Sequence, residues 1–367
     1  MRIKSIDVVR GLAILLMIIV NNPGVKRGYI QLEHAMWNGV TLADFGFPFF
    51  IICMGVSIPI SINNKIKKGV SNNKIIIDII RRSAIMILFG LFLNYLSNRD
   101  LNTIRMMGVL QRLGITYLIG SLLYLGIRKL NNKNNNIVSI LLSISLSIIF
   151  LYYIIAKTYG FEMEGSLAQI VDINLLNGHL YKQNFDPEGI LTTIVSISSV
   201  LMGSVIGCII TDKEKLEKDK LTRMILLGIT LSIGAFIFNK YFPFNKRLWS
   251  SSFVLLTGGV FSIILSVFYY ICDMKKKYKT LVPIIALGSS PIFIYMMLEI
   301  ISKTLWKVNI LSDFNNEVVG FRAWVTYEFI TPWAGDFYDS IIFSSLYAVI
   351  WIIIMLYMYR KNKFIKI

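Results

Sequence analysis

The stretch IVSILLSISLSIIFLYYII, residues 137–155, decides the fold class of this chain. It carries no charged residue, and as a helix it is long enough to cross the hydrocarbon core of a bilayer, which is about 30 Å thick. A strand of a membrane β-barrel would instead alternate apolar and polar residues over roughly ten positions. The stretch is too long and too uniformly apolar for that pattern, and it therefore predicts a membrane-spanning α-helix.

Comparable apolar runs recur along the whole chain and are separated by short segments rich in Lys and Asn. The 367 residues are 55% hydrophobic and 16% charged, whereas about a quarter of the residues in soluble proteins are charged. We predict an all-α polytopic integral membrane protein, a bundle of about ten transmembrane helices that form one domain over residues 1–367. The predicted helices cover residues 6–20, 41–62, 75–96, 106–127, 137–156, 189–210, 221–239, 249–272, 281–302 and 340–359.

The Lys and Arg residues indicate how these helices are oriented. About two thirds of the 38 basic residues fall on one side of the membrane when the predicted helices alternate in direction. Because loops rich in Lys and Arg remain cytoplasmic, both termini are predicted to be cytoplasmic in a multi-pass protein of the cell membrane. The loops expected on the outer, extracytoplasmic face are 21–40, 97–105, 157–188, 240–248 and 303–338.

Charge, cysteines and motifs exclude several function classes. The net charge of +17 would suit nucleic acid, but the basic residues lie almost wholly in loops, where they set topology and contact anionic headgroups. We therefore expect membrane lipid and no nucleic acid as a partner. The three cysteines lie in apolar runs without metal-ligand spacing, so no metal is predicted. The chain has no phosphate-binding glycine loop, no G-x-S-x-G and no H-E-x-x-H.

The stretch HAMWNGVTLADFGFPFFIICMGVS, residues 34–57, holds the strongest candidates for chemistry. It begins with His34, one of two histidines, and carries Asp44 at the entry of the second predicted helix. Ionisable side chains beside lipid are costly and usually functional. If the loop folds back over the helix, Asp44 can hold the tautomer of a His34 ring that acts as a base. The alternative is an interfacial His34 and an Asp44 that only caps the helix, since Thr41 and Asp44 have capping-box spacing.

The fourth predicted helix opens with RMMGVLQRLGITY, residues 105–117. Arg105, Gly108 and Arg112 share one helix face, so two cations flank a residue without a side chain. Arg112 lies a turn or more inside the membrane and requires a phosphate, a substrate carboxylate, a carbonyl or a structural acid as its partner. Glu299 in the ninth predicted helix is one candidate for that partner. The alternative is snorkelling to the outer interface, for which Arg105 is better placed than Arg112.

Other polar residues lie at the two membrane faces. Arg10, at the inner end of the first helix, most simply pairs with Asp7 three residues earlier, and its functional interpretation is a phosphate contact. Lys246 and Trp249 lie at the outer mouth of the eighth helix, where an interfacial aromatic belt is the alternative for the tryptophan.

The long outer loop 157–188 carries a further group. It holds His179 and, near its end, Asp186 and Glu188. Loops of this length are usually functional or have local structure of their own. We expect His179 to be solvated and the two acids to face the outer side.

Five stretches resemble a known family, the transmembrane N-acetyltransferases typified by heparan-α-glucosaminide N-acetyltransferase and its bacterial relatives. They follow the order seen in the family and span most of the chain, and the second stretch is the most specific. The stretches are SIDVVRGLAILLMIIVNN (5–22), HAMWNGVTLADFGFPFFIICMGVSI (34–58), RMMGVLQRLGITY (105–117), DPEGIL (186–191) and NKRLWSSSFVL (245–255).

The resemblance implies acetyl transfer from cytoplasmic acetyl-CoA to an amino sugar or glycan on the extracytoplasmic side. In the family the histidine before W-N-G is the active-site residue, which falls on His34. The aspartate of the A-D-x-x-F-P pattern falls on Asp44, and the asparagine near the end of the first helix falls on Asn21. The expected partners are acetyl-CoA as co-substrate, the acceptor, membrane lipid and a second copy of the chain in a homodimer.

These assignments give each residue an expected role. His34 acts as base towards the acceptor or carries the acetyl group, Asp44 orients it, and Asn21 or Asn38 donates hydrogen bonds to the developing oxyanion. The further residues expected to bind substrate or co-substrate are Arg10, Arg105, Gln111, Arg112, Asp186, Glu188, Lys246, Trp249 and Glu299.

Two other function classes fit the same residues. One is an O-acyltransferase that modifies a hydroxyl of a cell-envelope polysaccharide. The other is a proton-coupled transporter of a sugar or lipid-linked sugar, which the lack of repeated halves in the sequence disfavours. The animal enzyme of the family has a lumenal domain and an additional helix before the first stretch, so this chain is expected to correspond to the catalytic core.

Overall fold

The computed structural model describes residues 3–25, 29–131, 133–182, 184–314 and 316–363. These residues form two compact units. The described part of the first unit lies within 3–35, 40–47 and 277–363, and that of the second within 36–39 and 48–276. The chain therefore passes between the units inside the stretch that carries His34 and Asp44.

The second unit is a helical bundle. Each of its long helices coincides with a predicted apolar run, because such runs satisfy their backbone hydrogen bonds internally only as helices in lipid. The helices are α2 (Gly46–Lys67, of which the first two residues belong to the first unit), α3 (Asn72–Asn98), α4 (Val109–Leu130), α5 (Asn134–Tyr159), α6 (Leu167–Leu176), α7 (Ile190–Thr211), α8 (Glu217–Asn239) and α9 (Ser251–Phe268). A π-helical turn, Tyr269–Met274, follows α9.

Helix α7 is the centre of this bundle. Of its apolar window 94% is buried, against 28% for α5 and 22% for α8, which present most of their surface outward. Gly55 of α2 and Gly203 of α7 lie so close to the facing backbone that a Cβ on either would collide with a carbonyl. Small residues at such contacts let two helix backbones approach, which is the usual way helices associate in membranes.

The first unit combines helices with one hairpin. Helix α1 packs on α10, where Gly11 and Gly288 leave no room for a Cβ against the partner backbone. The main elements of the first unit are α1 (Lys4–Asn21), a 3-10 turn (Leu42–Phe45) that leads into α2, α10 (Val282–Leu287), α11 (Pro291–Lys303), the antiparallel strands β1 (Asn309–Ser312) and β2 (Glu317–Gly320), α12 (Phe321–Phe329) and α13 (Thr331–Arg360).

One predicted helix is broken in two, and two predicted loops contain local structure of their own. The predicted helix 281–302 is two helices bent by 57°, because Pro291 cannot donate to the preceding turn and starts a new helix. The segment 303–338 contains the hairpin, α12 and the start of α13, which is non-helical at Gly335 (φ 71°). The loop 157–188 contains α6, whose N-cap Ser166 accepts from the Gln169 N–H.

Among the described residues, seven helices are long and apolar enough to cross a membrane, and the bent pair would make an eighth. The chain thus has the helices of a multi-pass membrane protein. Helices α1 and α3 are the two remaining predicted spans, and each carries three or more charged residues near its start. The number of about ten spans and the cytoplasmic position of both termini stay predictions.

Candidate active site

His34 and Asp44 form a hydrogen-bonded pair in the first unit. The His34 Nδ1 lies 2.8 Å from Asp44 Oδ1. Asp44 Oδ2 also accepts from the backbone N–H of Thr41 at 3.1 Å and of Ala35 at 3.3 Å. The Asp44 side chain is 1% exposed and that of His34 is 41% exposed. The loop therefore folds back over the helix start and presents the ring of His34 while it encloses the carboxylate.

This geometry sets the chemistry of the imidazole. A carboxylate facing Nδ1 accepts a proton held on that nitrogen, so the neutral ring carries its lone pair on Nε2. The same carboxylate stabilises the imidazolium that forms when Nε2 takes a proton. The predicted capping box is also confirmed, because Thr41 and Asp44 bond reciprocally at the start of the 3-10 turn. Asp44 therefore holds both the helix start and the His34 ring.

His34 lines a cavity of about 240 Å³ in the first unit. Its polar lining residues include Asn21, Glu33, Ser340 and Ser344, and most of the remaining wall is aliphatic. Glu33 is the only Asp, Glu, Lys or Arg among the described residues that line it. No motif in the sequence marks Glu33 as a lining residue. The two serines lie four residues apart, on one face of a helix, and that spacing is the pattern that indicates them.

Asn21 connects this cavity with a smaller one. It lies at the end of α1 and lines both the His34 cavity and a pocket of about 20 Å³ beside α11. A space of that size holds about one water molecule. Glu299 lines the smaller pocket and forms an ion pair with Lys303 at 3.3 Å. Of the predicted residues, the first unit thus brings together His34, Asp44 and Asn21, with Glu299 one pocket away.

Arg10 has structural partners. Its guanidinium donates to Asp7 Oδ1 at 3.3 Å and to the carbonyl of Gly288 at 3.2 Å. The predicted pairing with Asp7 is confirmed. The bond to Gly288 ties α1 to the turn between α10 and α11.

In the second unit, Arg105, Asp186 and Glu188 form an ion-pair network, the Arg105 cluster. Arg105 Nη2 lies 2.5 Å from Asp186 Oδ1 and 2.5 Å from Glu188 Oε2. Its Nε donates to Asp186 Oδ2 at 2.8 Å, and its guanidinium stacks on Tyr181. Burial alone would lower the pKa of Arg105, but its bonds to the two acids raise that pKa above the ordinary value. The three predicted residues are therefore ion-pair partners of one another.

Arg112 is buried, with 1% of the residue exposed. It donates to the Pro187 carbonyl at 2.8 Å, to Thr193 Oγ1 at 3.2 Å and to Thr192 Oγ1. Its guanidinium lies 4.8 Å from the centre of the Trp249 ring, a cation–π contact. Within the described chain these hydrogen-bond partners are all neutral oxygens. The snorkelling alternative is therefore wrong, and the carbonyl partner that the sequence allowed for Arg112 is present.

Trp249 and Gln111 are also packed inside this bundle. Trp249 is 1% exposed and its Nε1 donates to Ser199 Oγ at 3.2 Å, so the interfacial-belt alternative is wrong. Gln111 is 2% exposed and fills the space that Gly90 leaves on α3. Its Nε2 has no hydrogen-bond partner among the described residues.

Asn38 and Lys246 lie in loops of the second unit. The Asn38 Oδ1 accepts from Asn245 Nδ2 at 3.4 Å, and the Gly39 N–H donates to the Phe244 carbonyl at 2.8 Å. Lys246 is half-buried in the turn before α9, where its carbonyl accepts from the Trp249 N–H. The W-N-G sequence is therefore hydrogen-bonded to the loop that carries Lys246.

Two further titratable residues have roles that the sequence did not indicate. His179 is half-buried and its Nδ1 lies 2.7 Å from the Ile104 carbonyl, so the expected solvated position is wrong. Asp172 on α6 is fully buried and accepts from the Ile190 N–H at 2.8 Å. Burial raises the pKa of Asp172 to about 7. Neither residue lies at the boundary of an apolar run, so the hydropathy pattern does not indicate either of them.

Comparison with known proteins gives a consistent result. The family model described as heparan-alpha-glucosaminide N-acetyltransferase, catalytic, matches residues 2–241. Heparan-alpha-glucosaminide N-acetyltransferase of Mus musculus is 29% identical over 364 residues, which covers 84% of this chain and 55% of the mouse protein. The Homo sapiens protein of the same name is 30% identical over 353 residues, covering 82% of this chain and 53% of the human protein. The chain spans about half the length of these curated relatives.

Proposed function

This chain belongs to the family described as heparan-alpha-glucosaminide N-acetyltransferase, catalytic, and from that premise we propose that it transfers an acetyl group from acetyl-CoA to the amine of an amino sugar. The relatives are named for an α-glucosaminide acceptor. For this chain we propose the acceptor class, an amino sugar or a glycan that ends in one, and not heparan itself.

The observation that carries the proposal is the His34–Asp44 pair on the wall of a cavity. The Nδ1–Oδ1 distance of 2.8 Å supports an oriented imidazole, and the adjacent space of about 240 Å³ supports a ligand beside it. Pockets for drug-sized ligands are about 300–1,000 Å³. The cavity is thus suited to the reacting ends of two substrates and not to a whole acetyl-CoA.

In the mechanism we propose, the neutral acceptor nitrogen attacks the thioester carbonyl while His34 Nε2 takes a proton from that nitrogen. A C–N bond forms and the C–S bond breaks. The CoA sulfur leaves as a thiolate and takes the proton back from the imidazolium. In a second route His34 Nε2 attacks the thioester first, the C–S bond breaks and the CoA thiolate leaves, and the acetyl group then passes from the imidazole to the amine. Asp44 stabilises the positively charged ring on either route.

The other predicted residues divide into three groups. The Asn21 amide lines the cavity and is suited to donate a hydrogen bond to the oxyanion, and Asn38 stays a prediction for the same task. The remaining residues have protein partners or buried positions that support a structural role, which we now propose for Arg10, Arg105, Gln111, Arg112, Asp186, Glu188 and Trp249. Lys246 and Glu299 stay predictions for substrate contact.

The topology forms part of the proposal. With both termini cytoplasmic, the loop that carries His34 faces the extracytoplasmic side of the cell membrane, and acetyl-CoA reaches the cavity from the cytoplasm. We propose that residues 1–367 form one catalytic domain. Contact with lipid and assembly as a homodimer stay predictions.

The test uses membranes that contain the protein and acetyl-CoA labelled in the acetyl group, with glucosamine as acceptor. The proposal predicts label in an amide of the sugar. Label in an ester would favour the O-acyltransferase, and sugar uptake without label transfer would favour the transporter. A labelled protein isolated without acceptor would establish the acetyl-imidazole route, whereas an unlabelled one would support direct transfer.

A further inference from the structure

Glu33 lines the His34 cavity and is held in place by its backbone. Its carbonyl accepts from Thr41 Oγ1 at 2.7 Å, and its N–H donates to the Ile30 carbonyl at 3.3 Å. Thr41 Oγ1 also lies 3.2 Å from Asp44 Oδ2. One threonine thus links the backbone of Glu33 to the carboxylate that orients His34.

Glu33 is an exposed residue, and its hydrogen bonds to described residues involve its backbone. The other described polar groups of the lining are neutral or weakly basic: Tyr29, Ser340, Ser344 and the amide and imidazole already named. The described lining contains neither Lys nor Arg, although the chain as a whole has a net charge of +17. The described wall of this cavity therefore has a negative charge.

A carboxylate in a concave, largely aliphatic space attracts cations more strongly than it would in open water. Tyr29 lines the same wall, and aromatic rings can also bind cations. Acceptors of an acyl group differ in charge, because a primary amine is cationic near neutral pH and a sugar hydroxyl is neutral. The cavity can discriminate between them by charge before any bond is made.

We propose that Glu33 binds the ammonium form of the acceptor and selects primary amines over hydroxyls. This inference rests on the proposed function, since it assigns the acceptor class of the same site. Glu33 takes no part in the proton transfers. The acceptor nitrogen loses two protons on becoming an amide: one passes through His34 to the CoA sulfur, and the other goes to bulk water.

The test separates binding from turnover in the purified full chain in lipid nanodiscs. Equilibrium binding of radiolabelled glucosamine is measured for the wild type, Glu33→Gln and Glu33→Asp. Glu33→Gln should weaken binding about tenfold, because it removes a charge-assisted hydrogen bond. Glu33→Asp should recover most of the affinity. Glucose, which lacks the amine, should compete equally weakly against both the wild type and Glu33→Gln.

The matched control is Glu164→Gln, which removes the same charge from an exposed position in the second unit. It should leave glucosamine binding unchanged. In turnover assays Glu33→Gln should raise KM for glucosamine about tenfold, with kcat within about threefold and KM for acetyl-CoA unchanged.

The measurements distinguish a failure of this inference from a failure of the proposed function. If the wild type acetylates glucosamine and Glu33→Gln binds it as well as the wild type, the inference is overturned and the proposed function stands. If Glu33→Gln weakens glucosamine binding while the wild type transfers no acetyl group, the ammonium site stands and the proposed reaction does not. Equal weakening by Glu33→Gln and Glu164→Gln would also overturn the inference, since it would indicate a general surface field.

Discussion

The His34 site and the Arg105 cluster contain the same kinds of side chains but differ in how their charges are satisfied. In the Arg105 cluster each charged group faces another charged group of the protein at 2.5–2.8 Å. At the His34 site the carboxylate is enclosed while the ring borders a cavity. A polar group that proteins bury with a complete set of partners stabilises a fold, whereas one directed at a cavity can act on a ligand. We therefore expect substitutions in the two regions to affect different quantities.

Among substitutions of the charged residues in the two regions, the largest effect is expected on turnover from Asp44→Asn. The amide keeps the shape of the side chain but no longer favours a proton on Nδ1 of His34, and it cannot stabilise the imidazolium. The same change in the Ser-His-Asp triad lowers kcat about 10⁴-fold. We expect kcat to fall about 10²- to 10⁴-fold with little change in Tm, measured by acetyl transfer and thermal unfolding. Asp313→Asn, an exposed aspartate of the same unit, should keep wild-type turnover.

Arg105→Met should affect stability instead. It leaves Asp186, which is fully buried, facing Glu188 without a cation. Removal of one partner from a buried pair costs about 3–5 kcal/mol. We expect Tm in detergent to fall by several degrees while the folded fraction retains its turnover.

A matched control for the Arg105 cluster is the pair Lys65–Asp78. Its ions lie 2.6 Å apart, but their side chains are 33% and 41% exposed. Exposed pairs contribute about 0–1 kcal/mol, so Lys65→Met should lower Tm far less than Arg105→Met. Equal losses from the two variants would contradict the distinction between enclosed and exposed charges.

The smallest effect is expected from Asp172→Asn and depends on pH. Burial raises the pKa of Asp172 to about 7, whereas an unfolded aspartic acid titrates near 4. The folded protein binds this proton more tightly, so stability falls as pH rises from about 4 to about 7, and the loss is complete above that range. An asparagine is neutral throughout. It should raise the free energy of unfolding by about 1 kcal/mol or more at pH 8 and by less at pH 5.

Thermal unfolding of Asp172→Asn and the wild type at the two pH values measures this difference. Asp100→Asn, an exposed aspartate in a loop of the same unit, should show no such change with pH. A stabilisation by Asp172→Asn of the same size at pH 5 and pH 8 would contradict the raised pKa.

The two regions also differ in how far the sequence predicts them. The apolar runs predict the long helices because a helix in lipid must be continuous and apolar. The His34–Asp44 contact follows from a short loop beside a helix start, so local spacing was sufficient. The partners of Arg112 lie about eighty residues away and are neutral, and no local pattern marks Thr192 or Thr193 as their position. The break before Pro291 was missed because the hydropathy stays high across it.

The His34 cavity also could not be predicted from local sequence patterns. Its walls come from α1 and the loop before α2, which are close together in the chain, and from α13, which lies more than 300 residues later. Periodicity within one helix cannot indicate which distant helix completes a space. Glu33 is adjacent to His34 in the sequence, but only the cavity distinguishes it from any other exposed glutamate.

The most direct test of the central claim compares the two histidines of the chain. His34→Ala and His179→Ala make the same change, the first beside the cavity and the second at a ring bound to the Ile104 carbonyl. Transfer of labelled acetyl from acetyl-CoA to glucosamine is measured in membranes with equal amounts of folded protein. We expect His34→Ala to lose at least about 10³-fold in turnover, while His179→Ala stays within a few-fold of the wild type. Wild-type turnover in His34→Ala would contradict the claim that this imidazole carries the reaction.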